Sequence, residues 1–120
     1  MSSITEAGHA GGFIVSEANG NRSREQVTIL SGEVLEAGAV LGKITSGGKY
    51  VKYDNDGTDD GRRVAFAILY DAVDASDGDV EATIIARDAE VNGEELVWQS
   101  SDEVEAGIAD LLAVGIIVRS

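Results

Sequence analysis

The chain of 120 residues contains no cysteine and no proline, one histidine and six aromatic residues, and each shortage removes a class of function. Without cysteine there is neither a disulfide framework, nor a thiolate metal site, nor a sulfur nucleophile. The sole histidine, His9, sits in a segment with little apolar surface to hold it rigid, which argues against a histidine-dependent triad or a zinc centre. No stretch approaches the ~20 apolar residues of a membrane span, and the start MSSITEAGHAGG has neither the basic head nor the apolar run of a secretory signal. A soluble protein made in the cytoplasm is the expectation. The missing proline leaves every residue with a backbone donor, which suits paired extended strands.

Acidic side chains are abundant and unevenly placed. Residues 1–50 carry a net charge of −1 and residues 51–120 a net charge of −12, within an overall −13. Such a field repels phosphate backbones, so direct nucleic-acid binding is not expected. Carboxylates alone also suggest a hydrolase, but 22 of them produce adjacent pairs by chance, as a solvated face does. No Gly-x-Gly-x-x-Gly or Walker pattern supports nucleotide binding. No cofactor is expected.

Patterning predicts one mainly β domain. Residues 1–22 are rich in Gly, Ala, Ser and Asn, with one apolar run at Phe13, Ile14 and Val15. They read as a flexible arm, because so little apolar surface cannot offset an ordering cost of roughly 1–2 kcal/mol per residue. Residues 23–120 read as the compact domain. Strands are predicted near Val27–Leu30, over Val40–Thr45 and Lys49–Tyr53 around a Ser46-Gly47-Gly48 turn, and over Arg63–Val73, Val80–Arg87 and Leu96–Trp98. A short C-terminal helix follows: Ser100 and Glu103 match a capping box, and Val104, Ile108, Leu111 and Leu112 form one apolar stripe. Gly115 offers a left-handed cap, and Ile116–Val118 return to a strand. Trp98, Phe66, Tyr50, Tyr53 and Tyr70 read as core or strand-face residues, with a subunit interface as the alternative for Trp98.

The run Asp54-Asn55-Asp56-Gly57-Thr58-Asp59-Asp60-Gly61 invites a calcium reading. Starting a calcium loop at Asp54 puts Asp59 where glycine is required; starting at Asp56 ends on Ala67 where a glutamate must close the site. A solvated turn fits better. Arg62, Arg63 and Arg87 read as local charge compensation.

An ordered set of features resembles the lambda-type bacteriophage head decoration proteins: Ser23-Arg24-Glu25, then Gly-x-x-Leu-x-Ala-Gly-x-x-Leu-Gly from Gly32 to Gly42, Thr58-Asp59-Asp60-Gly61, and the strand Ala65–Leu69. Leu96-Val97-Trp98, a short helix and a terminal apolar strand extend it to the C-terminus. The resemblance implies a bent β-ribbon or β-clip-like small barrel. It also implies a homotrimer that cements the outer surface of an expanded phage head. The N-terminal arm would pair with strands of the major capsid protein, with Ile4, Thr5, Phe13, Ile14 and Val15 as capsid-binding residues. The alternative is a small β-clip module that binds a carbohydrate or another ligand.

Overall fold

The computed structural model describes residues 11–17, 22–99 and 101–119. Ten short strands and one helix follow one another: β1 (Ile14–Glu17), β2 (Arg24–Ile29), β3 (Val34–Leu35), β4 (Val40–Lys43), β5 (Tyr50–Lys52), β6 (Ala67–Leu69), β7 (Val73–Asp74), β8 (Val80–Ile85), β9 (Ala89–Asn92), α1 (Val104–Ala113) and β10 (Ile116–Arg119). Strands β2, β5, β4, β6 and β8 close into a barrel. Its longest seam is the antiparallel β2–β8 pair, running from Arg24↔Ile85 to Ile29↔Val80. The mainly β small barrel with one short C-terminal helix is as the sequence predicts.

In β4, β6 and the end of β8 both faces of the barrel sheet are buried, and the period of two along each strand sorts the side chains. Leu41, Leu69 and Ile84 join Ile29, Tyr50 and Ala82 in one core cluster. Their neighbours Val40, Ile68 and Ile85 point the other way, into a second cluster. There they meet Phe13, Val91, Leu111 and Ile116, contributed by α1 and by a separate sheet ordered β1-β9-β10. Strand β10 lies parallel to β9 and β1 antiparallel to it.

Of the arm expected over residues 1–22, residues 1–10 and 18–21 lie outside the described residues, and residues 11–17 join this second cluster. Phe13 is only 2% exposed, and β1 is hydrogen-bonded to β9, so residues 11–17 belong to the compact body. The partners of Phe13 are supplied from the far end of the chain, and that supplies the apolar burial that the local composition lacks.

Three further expectations change. Leu96–Trp98 is not a strand but makes one isolated bridge, Ala39↔Val97, because Trp98 turns onto α1. The predicted strand Arg63–Val73 is divided into β6 and β7 by the bend after Leu69. Leu112 is 60% exposed rather than inward. Gly107 and Leu111 are the buried positions of α1, and Leu112 follows Leu111 by about 100° around the helix axis. Gly115 has the expected positive φ, and the Val114 and Gly115 amides close the helix on Leu111 and Leu112 carbonyls.

Candidate functional site

Gly11 lies beside Tyr70. The Gly11 amide donates to the Tyr70 carbonyl at 2.8 Å, with φ at 67°, and a Cβ on Gly11 would stand 2.6 Å from the Tyr70 ring. Glycine is thus required by both conformation and space. The turn that follows drops Phe13 into the core, and the Asn92 amide donates to the Phe13 carbonyl at 2.7 Å.

Strand β1 is irregular. Its register shifts between Ile14, opposite Val91, and Ser16, opposite Glu90, which leaves Val15 in a bulge and 56% exposed. Of the predicted capsid-binding residues, Phe13 and Ile14 therefore pack against their own subunit, whereas Val15 faces outward. Ile4 and Thr5 lie outside the described residues. Because β1 and β10 border their sheet, each presents an edge in a geometry that a further strand can join.

A polar clamp fixes β1 that sequence reasoning missed. Glu17 accepts from Arg24 at 2.7 and 3.2 Å and from the buried Ser23 hydroxyl. The Arg24 bond holds the Glu17 carboxyl below the usual carboxylate range. The same guanidinium lies 4.4 Å from the Tyr70 ring centroid. Strand, barrel and entry point are tied together, and a charge six or seven residues away in a Gly- and Asn-rich stretch carried no pattern to announce it.

The turn from Asp54 to Gly61 is held by its own charges. Arg62 bonds both oxygens of Asp60 at 3.0 and 2.9 Å, and the Arg63 guanidinium donates to the Gly57 carbonyl at 2.9 Å. Among the described residues no cluster of acidic side chains is arranged to hold a metal ion. Behind this turn lies Glu103, 1% exposed, whose carboxylate accepts the Gln99 amide at 2.7 Å and the Asn55 amide at 3.4 Å. It reaches back as a capping glutamate does, but to Gln99, and Ser100 is outside the described residues. A polar groove next to the turn is lined by Glu33, Lys52, Asp54, Arg62 and Gln99, with no aromatic wall on which a sugar ring could stack.

Trp98 is half-buried, edge-on to Tyr53 at 6.2 Å between centroids, and packed on Gly107. Among the described residues no helix is long and apolar enough to cross a membrane. What the arrangement offers is surface: sheet edges, exposed apolar side chains and carboxylates on a body closed around its barrel.

No curated protein sequence matches the chain. A family model described as Bacteriophage lambda head decoration protein D matches residues 3–116. The chain therefore belongs to the bacteriophage lambda head decoration protein D family, structural proteins of the phage capsid.

Proposed function

We propose that this protein binds as a homotrimer to the outer surface of an expanded phage head and cements it, with its N-terminal segment pairing with strands of the major capsid protein. The observation that carries the reading is the family match, which starts at residue 3 and so includes the segment ahead of the body. Ile4 and Thr5 are the proposed docking side chains there, with exposed Val15 on β1 continuing the surface. Phe13 and Ile14 act as the anchor of that segment rather than as its contacts, since their side chains are used by the core. The exposed edge of Trp98 is proposed to contribute to the subunit contact.

Each arm binds weakly alone, because ordering it is costly. Three arms on one trimer gain about 10²- to 10⁴-fold in avidity when the sites are spaced to match. The net charge of −13 keeps the protein off the packaged nucleic acid and keeps decorated heads mutually repulsive. No catalytic step is invoked. The protein is made in the host cytoplasm and resides on the virion.

The test is co-sedimentation with expanded and unexpanded heads, beside the mass in solution. Full-length protein pellets with expanded heads and has three times the chain mass; a variant starting at residue 11 keeps that mass and is released. Equal binding by the shortened variant would refute strand pairing by the N-terminal segment.

A further inference from the structure

Two exposed apolar patches on this surface differ in charge. The first is a shallow groove lined by Lys43, Ile44, Thr45, Gly61, Val64 and Phe66. Val64 is 51% and Phe66 38% exposed. The Lys43 ammonium lies 5.5 Å from the Phe66 ring centroid and 5.9 Å from that of Tyr50. Six of the basic residues, from Arg22 to Arg119, have carboxylate partners, but among the described residues Lys43 has none. On a protein this acidic, a cation left over an apolar groove is a point of complementarity to an acidic, apolar surface.

The second patch is such a surface. Glu105, Ala109 and Leu112, at i, i+4 and i+7, are exposed on the outer side of α1. The helix contains no basic residue, and among the described residues Glu105 makes no ion pair. Asp110, on the flank of α1, accepts from the Ala65 amide at 3.0 Å, so the helix packs beside the segment that carries Val64 and Phe66.

We propose that the groove of one copy receives the outer face of α1 from the next copy, and that this head-to-tail contact, repeated around a three-fold axis, builds the trimer. The inference rests on the trimeric reading above and names the two faces that make it. Unlike patches can only pair heterologously, and a heterologous contact closes into a ring or runs on as a filament. The two faces stand on segments tied by the Ala65–Asp110 bond, and the trimeric reading selects the closed ring over the filament. Leu112 fills the groove beside Val64 and Phe66, and Glu105 meets Lys43.

Sedimentation of Val64→Asp and Leu112→Asp variants, alone and mixed, tests this. Wild type sediments at three times 12.5 kDa, each variant alone as a monomer, and the equimolar mixture as a 1:1 dimer, because each variant keeps the face that the other has lost. Circular dichroism establishes that each variant is folded. Should either one misfold, Lys43→Glu serves instead: it weakens the trimer at least tenfold, and Glu105→Lys in the same chain restores it. Trimeric variants beside a trimeric wild type would overturn this contact and leave the trimer standing. A monomeric wild type would overturn both, and monomeric variants that form no mixed dimer would overturn the head-to-tail geometry.

Discussion

Gly107 lies directly against the indole of Trp98: a Cβ added at Gly107 would stand 2.3 Å from Trp98 Cζ3 and 2.9 Å from Tyr53 Cε2. Glycine is otherwise the wrong residue for a helix interior, costing about 1 kcal/mol relative to alanine. Its presence is the condition for laying an aromatic ring on the helix backbone. Gly107→Ala recovers that propensity but forces the ring aside, and overpacking of a tight site costs about 1–3 kcal/mol. The expected outcome is a net loss of stability and a shifted tryptophan emission, read by thermal denaturation and fluorescence. An unchanged or raised midpoint would show that Trp98 has room to move.

Phe13 sets where the body begins. Replacing it with alanine removes a fully packed ring, at a cost of about 3–5 kcal/mol. Deleting residues 1–10 removes no described core side chain and leaves the urea midpoint nearly unchanged, whereas deleting residues 1–17 takes away β1 and Phe13 and lowers it sharply. If the two deletions unfold alike, Phe13 and β1 do not supply the stability assigned to them.

The same residue shows what was legible in the sequence. The barrel strands, the Asp54–Gly61 turn and the helix all announce themselves through local periodicity and turn chemistry, within about ten residues of chain. Phe13 does not, because Val91, Leu111 and Ile116, with which it clusters, are some eighty to a hundred residues away in sequence. Leu96-Val97-Trp98 looks like a strand for the converse reason: the apolar run is real, but one of its side chains is spent on Gly107 and only Val97 bridges. Leu112 belongs to the helical period yet lies outside the buried sector, so composition could not separate a core residue from a contact residue. Of the proposed docking surface, the order and spacing of the family motifs were visible; the charge difference between the two patches required the fold.

Glu103 holds two separate loops to the start of α1. Glu103→Ala leaves the Gln99 and Asn55 amides without their acceptor; a fully buried unsatisfied donor costs about 1–3 kcal/mol, and these part-buried ones cost less because water can reach them. Glu103→Gln keeps one carbonyl oxygen and so loses less. Urea denaturation should rank wild type above Gln above Ala. Equal midpoints for Gln and Ala would mean that the carboxylate geometry as a whole, rather than the acceptor oxygen, is what the site uses.

Stability should fall at both ends of the pH range, for opposite reasons. Hydrogen bonds from Arg24 to Glu17, Arg62 to Asp60, Ser76 to Asp74 and Lys49 to Asp79 hold these four carboxyls below their ordinary values. A group whose pKa is depressed by folding stabilises fully above its unfolded value, near 4, and loses that contribution as pH falls through the lower folded value. On the alkaline side burial is the first cause, with Asp110, Glu103 and Asp54 adding to it, and together they push the Tyr53 phenol up to about 12. Its contribution is complete below the unfolded value of about 10 and declines as pH climbs toward the folded one. Urea midpoints measured across the range should therefore drop below about pH 4 and again above about pH 10. Burial also raises the Tyr50 phenol, so in the ultraviolet titration Tyr53 should give the latest step, and Tyr53→Phe should remove that step while the raised Tyr50 remains. The acid limb has its own control: Lys49→Ala leaves the Asp79 carboxyl with the Ser31 amide alone, and the loss of stability below about pH 4 becomes shallower than in wild type. An acid limb unchanged by that substitution would show that the Lys49–Asp79 pair, exposed as it is, contributes nothing to the fold.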